Sequence, residues 1–328
     1  MRSSSIGSSR ANRADSDLII GTRGSQLALW QTNHVAGILS RAGISTRLER
    51  VVTKGDRYLD QPLAEIGDKG LFTAELDSAL LDGRIDLAVH SLKDLPSELP
   101  AGLTLATVPK RDHPWDVLAP RSKEITALAD VPLGARIGSS SLRRMALMRA
   151  ARPDLEISSI RGNVETRLQK LHDRKFDAII LAEAGLTRLG LQSHIGARLP
   201  LEVMVPAVGQ GALGVVCAEH RVELREMLDD LLTDADSLTA VLTERAFLHR
   251  LEGGCQVPIG AYCRLVSPEK LELHGCVAAL DGSKVVRGRI EAPHGAGVHA
   301  GIELAERLIE QGADAILRDI RAARGSRS

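Results

Sequence analysis

Aromatic side chains are scarce in this 328-residue chain, at 2% of the total. Proteins that hold single-stranded nucleic acid stack bases on such rings, so the composition argues against that class. Net charge is also lacking: 42 basic residues face 42 acidic ones. No global field then favours nucleic acid or an anionic membrane as partner. No apolar run approaches the length of a membrane span. Cysteine is confined to Cys217, Cys255, Cys263 and Cys276, with no CxxC and no histidines at zinc spacing. Four cysteines in so long a chain do not make a disulfide framework, and a reducing, cytoplasmic compartment is expected. The first residues, MRSSSIGSSRANRADSD, lack the apolar stretch of a secretory signal. Residues 1–16 are expected to form a disordered tail. P-loop, HExxH and GxSxG motifs are absent as well.

Apolar residues at 44% and charged residues at 26% are those of a soluble globular protein. The length allows two or three domains with real cores. DLIIGTR reads as a strand, LALWQTNHVAGILSRAG as a helix ending on Gly43, STRLERVVT as a strand, LFTAELDSALLDGR as a helix and IDLAVHSL as a buried strand. This alternation predicts a mostly parallel sheet. It recurs in ARIGSS, SLRRMALMRAAR, LEISSI, VETRLQKLHDR and FDAIILA, which predicts a second, similar lobe. Two helices, RVELREMLDDLL and DSLTAVLTERAFLHRLE, then precede three strand-like runs and a further amphipathic helix, an α+β third domain.

Chemistry concentrates at strand ends. In AVHSLKDLP a buried strand delivers Ser91, Lys93 and Asp94. A solvated turn with a weak surface ion pair is the plainer alternative. Ligands of open α/β sheets, however, bind at the carboxyl ends of strands, which favours a cleft. IGSSSLRR sets Ser139, Ser140 and Ser141 before a helix that opens with Arg143 and Arg144. A serine there caps the helix; the free N–H groups and the two arginines also make an anion site. Adjacent arginines in a first turn oppose the helix dipole, so a nearby anion is expected to relieve that cost. Arg161 and Arg167 in IRGNVETR, Arg188 in AGLTRLG, and Arg23 with Ser25 in TRGSQ follow other strands. So many cations on one edge of a neutral chain imply a small polyanionic ligand, and arginine suits carboxylates. Asp94 is the sole carboxylate expected in that cleft, placed to stabilise a cationic intermediate.

Two motifs stand apart. GQGALG matches GxGxxG, but a strand-like run follows it rather than a helix. A dinucleotide site is therefore rejected, and the glycines are expected to mark a crossing between lobes. In LEGGCQVPIG the glycines and Pro258 put Cys255 on a sharp loop. A buried small hydrophobe is the bland reading of that cysteine; beside many arginines it would be a thiolate able to hold a covalent group.

TRGSQLALWQ, VTKGD, GLF, AVHSLKDLP, SSLRR, RGNVETR, AGLTRLG, PAVGQGA and RLEGGCQVPIGAY, in this order, resemble the porphobilinogen deaminase (hydroxymethylbilane synthase) family over nearly the whole chain beyond residue 16. The resemblance implies an α/β fold class: two similar periplasmic-binding-protein-like lobes plus a smaller α+β C-terminal domain. Residues 17–113 with 208–231 are expected as lobe 1, 114–207 as lobe 2, and 232–328 as the domain carrying Cys255. It implies an enzyme that joins four porphobilinogen molecules head to tail, releasing ammonia, before water frees hydroxymethylbilane. Cys255 would carry a dipyrromethane cofactor built from substrate. Asp94 would be the catalytic carboxylate. Ser91, Lys93, Ser139, Ser141, Arg143 and Arg144 would hold the cofactor, and Arg23, Ser25, Arg161, Arg167 and Arg188 the substrate and growing chain. Lys69 and Phe72 would belong to a mobile loop. A monomer is expected, with no nucleic-acid or membrane partner. Glu65 and Trp115 depart from common family choices. A two-lobed solute-binding protein and a ligand-sensing regulator domain are the alternatives; both leave the third domain unexplained.

Overall fold

The computed structural model describes residues 17–53, 73–252 and 257–325. Cys255, Glu65, Lys69 and Phe72 lie outside the described residues. Three sheets organise the described residues. The first has the order β2-β1-β3-β10-β4, where β1 is Leu18–Thr22, β2 Thr46–Arg50, β3 Leu87–Ser91, β4 Leu103–Thr107 and β10 Leu213–Ala218. β1 runs parallel to β2 and β3, while β10 is antiparallel to β3 and β4. Strand β3 is apolar on both faces, as a central strand covered by helices must be. Leu87 and Val89 pack with Val35 and Leu39 of α1 (Gln26–Arg41), and Ala88 packs with Leu76, Ala79 and Leu80 of α2 (Ala74–Leu81). Each such leucine or valine contributes roughly 1.5–3 kcal/mol on leaving water.

The second sheet has the order β7-β6-β8-β5-β9, from β5 (Asp116–Pro120), β6 (Arg136–Gly138), β7 (Glu156–Ser158), β8 (Ala178–Ala182) and β9 (Ala197–Arg198). β6 is parallel to β7 and β8, and β5 is antiparallel to β8 and β9. Its helices are α3 (Leu142–Ala151), α4 (Val164–His172) and α5 (Glu183–Arg188). The two sheets thus repeat one plan: three parallel strands, one antiparallel strand, one edge strand. The antiparallel strands β5 and β10 directly follow the chain's two passages between the lobes. The mostly parallel sheets read from the sequence are therefore mixed. The segments around Pro114 and Pro120 gave no strand pattern, because one proline lies two residues before β5 and the other ends it.

The remaining chain supplies α6 (Val222–Leu232), α7 (Ala235–Arg250), an antiparallel sheet of β11 (Ile259–Ser267), β12 (Lys270–Ala278) and β13 (Val285–Pro293), then α8 (Gly297–Glu310) and α9 (Ala313–Gly325). Leu224, Leu228 and Leu232 of α6 join the first lobe's core. Phe247 of α7 is fully buried against the sheet with Leu273, Leu304 and Leu308. Helix α8 comes so close to α7 that a Cβ at Gly301 would strike the Thr243 carbonyl. The other sheet face meets lobe 2: Tyr262, Cys276 and Ala278 pack with Ala146 and Leu147 of α3, and the Trp115 ring tilts against Tyr262 at 5.2 Å. The fold class is α/β, two similar lobes plus a smaller α+β domain. Among the described residues no helix is long and apolar enough to cross a membrane.

Candidate active site

Strand β3 ends at Ser91, and one 3-10 turn (Leu92–Asp94) follows. Leu92 and Leu95 are buried and anchor the turn, and the Leu92 N–H donates to the Ala212 carbonyl at 3.0 Å. Lys93 and Asp94 are thereby presented from a fixed base, with Asp94 exposed. Beside them an open pocket is lined by Arg23, Ser25, Gln31, His90, Ser91 and Asp94, among others. Ser25 accepts from Ala28 N as the cap of α1, and Gln31 donates to Ser91 Oγ at 2.7 Å. His90 is buried, and burial together with the Arg23 charge pushes its pKa down to about 4, so it stands neutral.

The second lobe brings a set of cations and hydroxyls close to Lys93. Ser139 is buried and its Oγ accepts from Ser141 N; Ser141 Oγ in turn caps α3 by accepting from Arg144 N. Arg143 and Arg144 are both buried on one carboxylate. Arg143 gives Asp116 two bonds, at 2.7 and 3.2 Å, and Arg144 Nε gives it one at 2.7 Å. Arg143 also donates to Val205 O, and Arg144 to Ile180 O. Burial opposes charge on Asp116, yet the two guanidiniums outweigh it and hold the carboxyl well below its usual range. Asp116 is the anion that the adjacent arginines require, and Asp94 is not the sole carboxylate among these cations. The sequence reading missed Asp116 because it missed β5, whose first residue it is.

Lys93 reaches Gln210 Oε1 at 3.4 Å. Burial and the nearby Arg144 charge lower its pKa to about 8, against the pull of Asp94 and Asp116. Arg167, whose Nε donates to Gly162 O at 2.8 Å, is pushed down to about 10 by burial and by Arg144, with Asp94 opposing and Arg161 adding to the shift. Lys93, Arg144, Arg161 and Arg167 thus share one electrostatic neighbourhood with Asp94. Arg188 donates to Asp112 at 2.8 Å and to Gly211 O at 2.6 Å, and its guanidinium lies over Trp30, 5.7 Å from the ring centre. These bonds tie lobe 2 to the two chain passages between the lobes.

A set of cations and hydroxyls around one carboxylate, open to solvent on one side, fits a ligand bearing several carboxylates. The chain matches the family model "Porphobilinogen deaminase, dipyromethane cofactor binding domain" over residues 18–226 and "Porphobilinogen deaminase, C-terminal domain" over residues 238–310. The porphobilinogen deaminase of Syntrophotalea carbinolica is 48% identical over 306 residues, 93% of this chain and 96% of that one. That of Geobacter metallireducens is 47% identical over 309 residues, 94% of this chain and 96% of that one. Among solved structures, a periplasmic substrate-binding protein of an ABC transporter from Coxiella burnetii aligns with a TM-score of 0.41 at 17% identity, covering 68% of this chain and 94% of that one. With half its sequence shared along almost its entire length, the chain belongs to the porphobilinogen deaminase family.

Proposed function

We propose that the protein is a hydroxymethylbilane synthase of tetrapyrrole biosynthesis. It joins four porphobilinogen molecules head to tail, each with loss of ammonia, and water then releases hydroxymethylbilane. The observation that carries the reading is the placement of Asp94 within reach of the charges of Lys93 of the first lobe and of Arg144 and Arg167 of the second. Porphobilinogen bears an acetate and a propionate, so its oligomers need such cations.

The residues fit a dipyrromethane with four carboxylates. Lys93, Arg144, Ser91, Ser139 and Ser141 would hold it, with Arg143 acting through Asp116. When bound, the group supplies the terminal pyrrole ring to which substrate is joined. Cys255 would be its point of attachment. Cys217, Cys263 and Cys276 are buried and unbridged, and burial, with the Glu244 charge, pushes the Cys263 thiol up to about 12, which leaves it inert. Arg23, Ser25, Arg161, Arg167 and Arg188 would take the carboxylates of incoming substrate and growing chain, and Lys69 and Phe72 would cover the site.

Breaking the substrate's methylene C–N bond expels ammonia and leaves positive charge on the ring. Asp94 stabilises that charge and accepts the pyrrole N–H bond. It also takes the ring proton lost when the new C–C bond forms. We assign the protein to the cytoplasm as a monomer. The zero formal charge supports a small-molecule substrate over a nucleic-acid or membrane partner.

Intact mass under denaturing conditions, beside Cys255→Ser, tests the reading. An excess of two linked pyrrole units that the variant lacks is expected. A bare chain that gains nothing on incubation with porphobilinogen would overturn it.

A further inference from the structure

The GQG turn has no part in the chemistry above, yet its middle side chain lies where both lobes and both passages meet. Gly209 and Gly211 have φ of +69° and +87°, and a Cβ at Gly211 would lie 2.5 Å from the Asp112 carbonyl. Glycine is required at both, and the tight turn drives Gln210 inward until none of it is exposed. Its amide is then fully used. Nε2 donates to Pro114 O at 2.6 Å and to Asp116 Oδ1 at 3.1 Å. Those two acceptors fix the amide's orientation, so Oε1 faces donors: Lys93 Nζ at 3.4 Å and Arg144 Nη2 at 3.3 Å.

Lys93 belongs to the first lobe and Arg144 to the second. Both are cations that repel each other, and Gln210 is the neutral acceptor between them. Arg111 Nε holds the Gln210 backbone carbonyl at 2.8 Å, so the side chain's origin is fixed too. A carboxylate in its place would stand against Asp116, and an apolar side chain would leave Lys93 and Arg144 without this shared acceptor. We propose that Gln210 is a positioning residue that sets Lys93 and Arg144 side by side across the cleft, so that the two lobes present their cations to one carboxylate of the bound pyrrole chain. The inference rests on the function proposed above.

Gln210→Met keeps length and neutrality but removes the amide; Gln210→Glu keeps the shape and adds charge. Each would be prepared as apoprotein and incubated with porphobilinogen across pH 6–10, with the gain of two pyrrole units followed by intact mass and folding checked by thermal unfolding. In the wild type, loading should fall as Lys93 loses its proton above about pH 8. Gln210→Met should load about tenfold more slowly or worse, as loss of a charge-assisted bond implies. In Gln210→Glu the added negative charge should hold the Lys93 proton longer and move that alkaline limb upward. Folded variants that load at the wild-type rate with the wild-type limb overturn the proposal, as does finding neither variant folded, which would make the role structural. A wild-type apoprotein that never gains the mass would instead refute the function itself.

Discussion

Glu244 receives both terminal nitrogens of Arg111, at 2.6 and 3.2 Å, in a site where the carboxylate has no exposure at all. Its oxygens also accept from Gly209 N at 2.7 Å and Cys263 N at 2.8 Å. Arg111 lies in the first passage between lobes, Gly209 in the second and Cys263 in the third domain's sheet, so a carboxylate on α7 ties all three together.

Removing one partner of such a pair leaves the other charge buried and unpaired. Glu244→Ala should therefore lose about 3–5 kcal/mol of stability. Urea unfolding of the two proteins decides it; a loss under about 1 kcal/mol would mean that water replaces the carboxylate.

Arg144→Leu should be purified without its pyrrole cofactor, because it removes a cation from the site and one of the two guanidiniums on Asp116. Arg143→Leu should do the same through Asp116. Asp116→Asn should also load poorly, since two buried guanidiniums would then repel each other without a counter-charge. Intact mass reads all three, and fully loaded arginine variants would refute the role given to them.

Asp94→Asn should retain the fold and its stability within about 0.5 kcal/mol, because the side chain is exposed and makes no hydrogen bond or ion pair among the described residues. Turnover of porphobilinogen should vanish. Near-normal turnover in a folded, loaded variant would move the chemistry to another residue.

His90 should make the protein acid-sensitive. Its pKa is about 4 when folded against 6.5 for a free imidazole. Between those values the unfolded chain holds a proton that the folded chain does not, so stability falls as pH drops from 6.5 to 4, by about 3 kcal/mol in all. His90→Asn should flatten this part of the stability–pH curve relative to wild type. An unchanged slope in urea midpoints between pH 7 and 5 would show that the imidazole titrates normally.

The central parallel strands were legible because burial on both faces writes them as apolar runs, IDLAVHSL and FDAIILA above all. Helices α1, α3 and α4 were legible from their apolar spacing, and the serine cap expected for α3 is Ser141, which accepts from Arg144 N; Ser25 and Asn163 cap α1 and α4 without having been read as caps. The crossing strand β5 was not, since prolines stand just before it and at its end and its pairing is antiparallel to a strand far along the chain. The contact of Asp116 with Arg143 and Arg144 went unseen for the same reason: it is a property of that pairing. Gln210 was hidden differently. The two glycines signalled a special backbone, but a glutamine between them carries no mark of being buried. Arg188 was legible as a strand-end arginine, but its contacts with Asp112, Gly211 and Trp30 were not.

The exchange of antiparallel strands has a consequence for synthesis. The second sheet takes all its strands from one continuous stretch and is complete once Arg198 has emerged. The first sheet, begun at Leu18, waits for β10, which ends at Ala218. On the ribosome the later lobe can close while the earlier one still holds an open slot between β3 and β4. The N-terminal half of this chain is thus the last of the two lobes to mature, and a nascent chain stalled between these two points would carry one finished lobe and one exposed pair of strand edges.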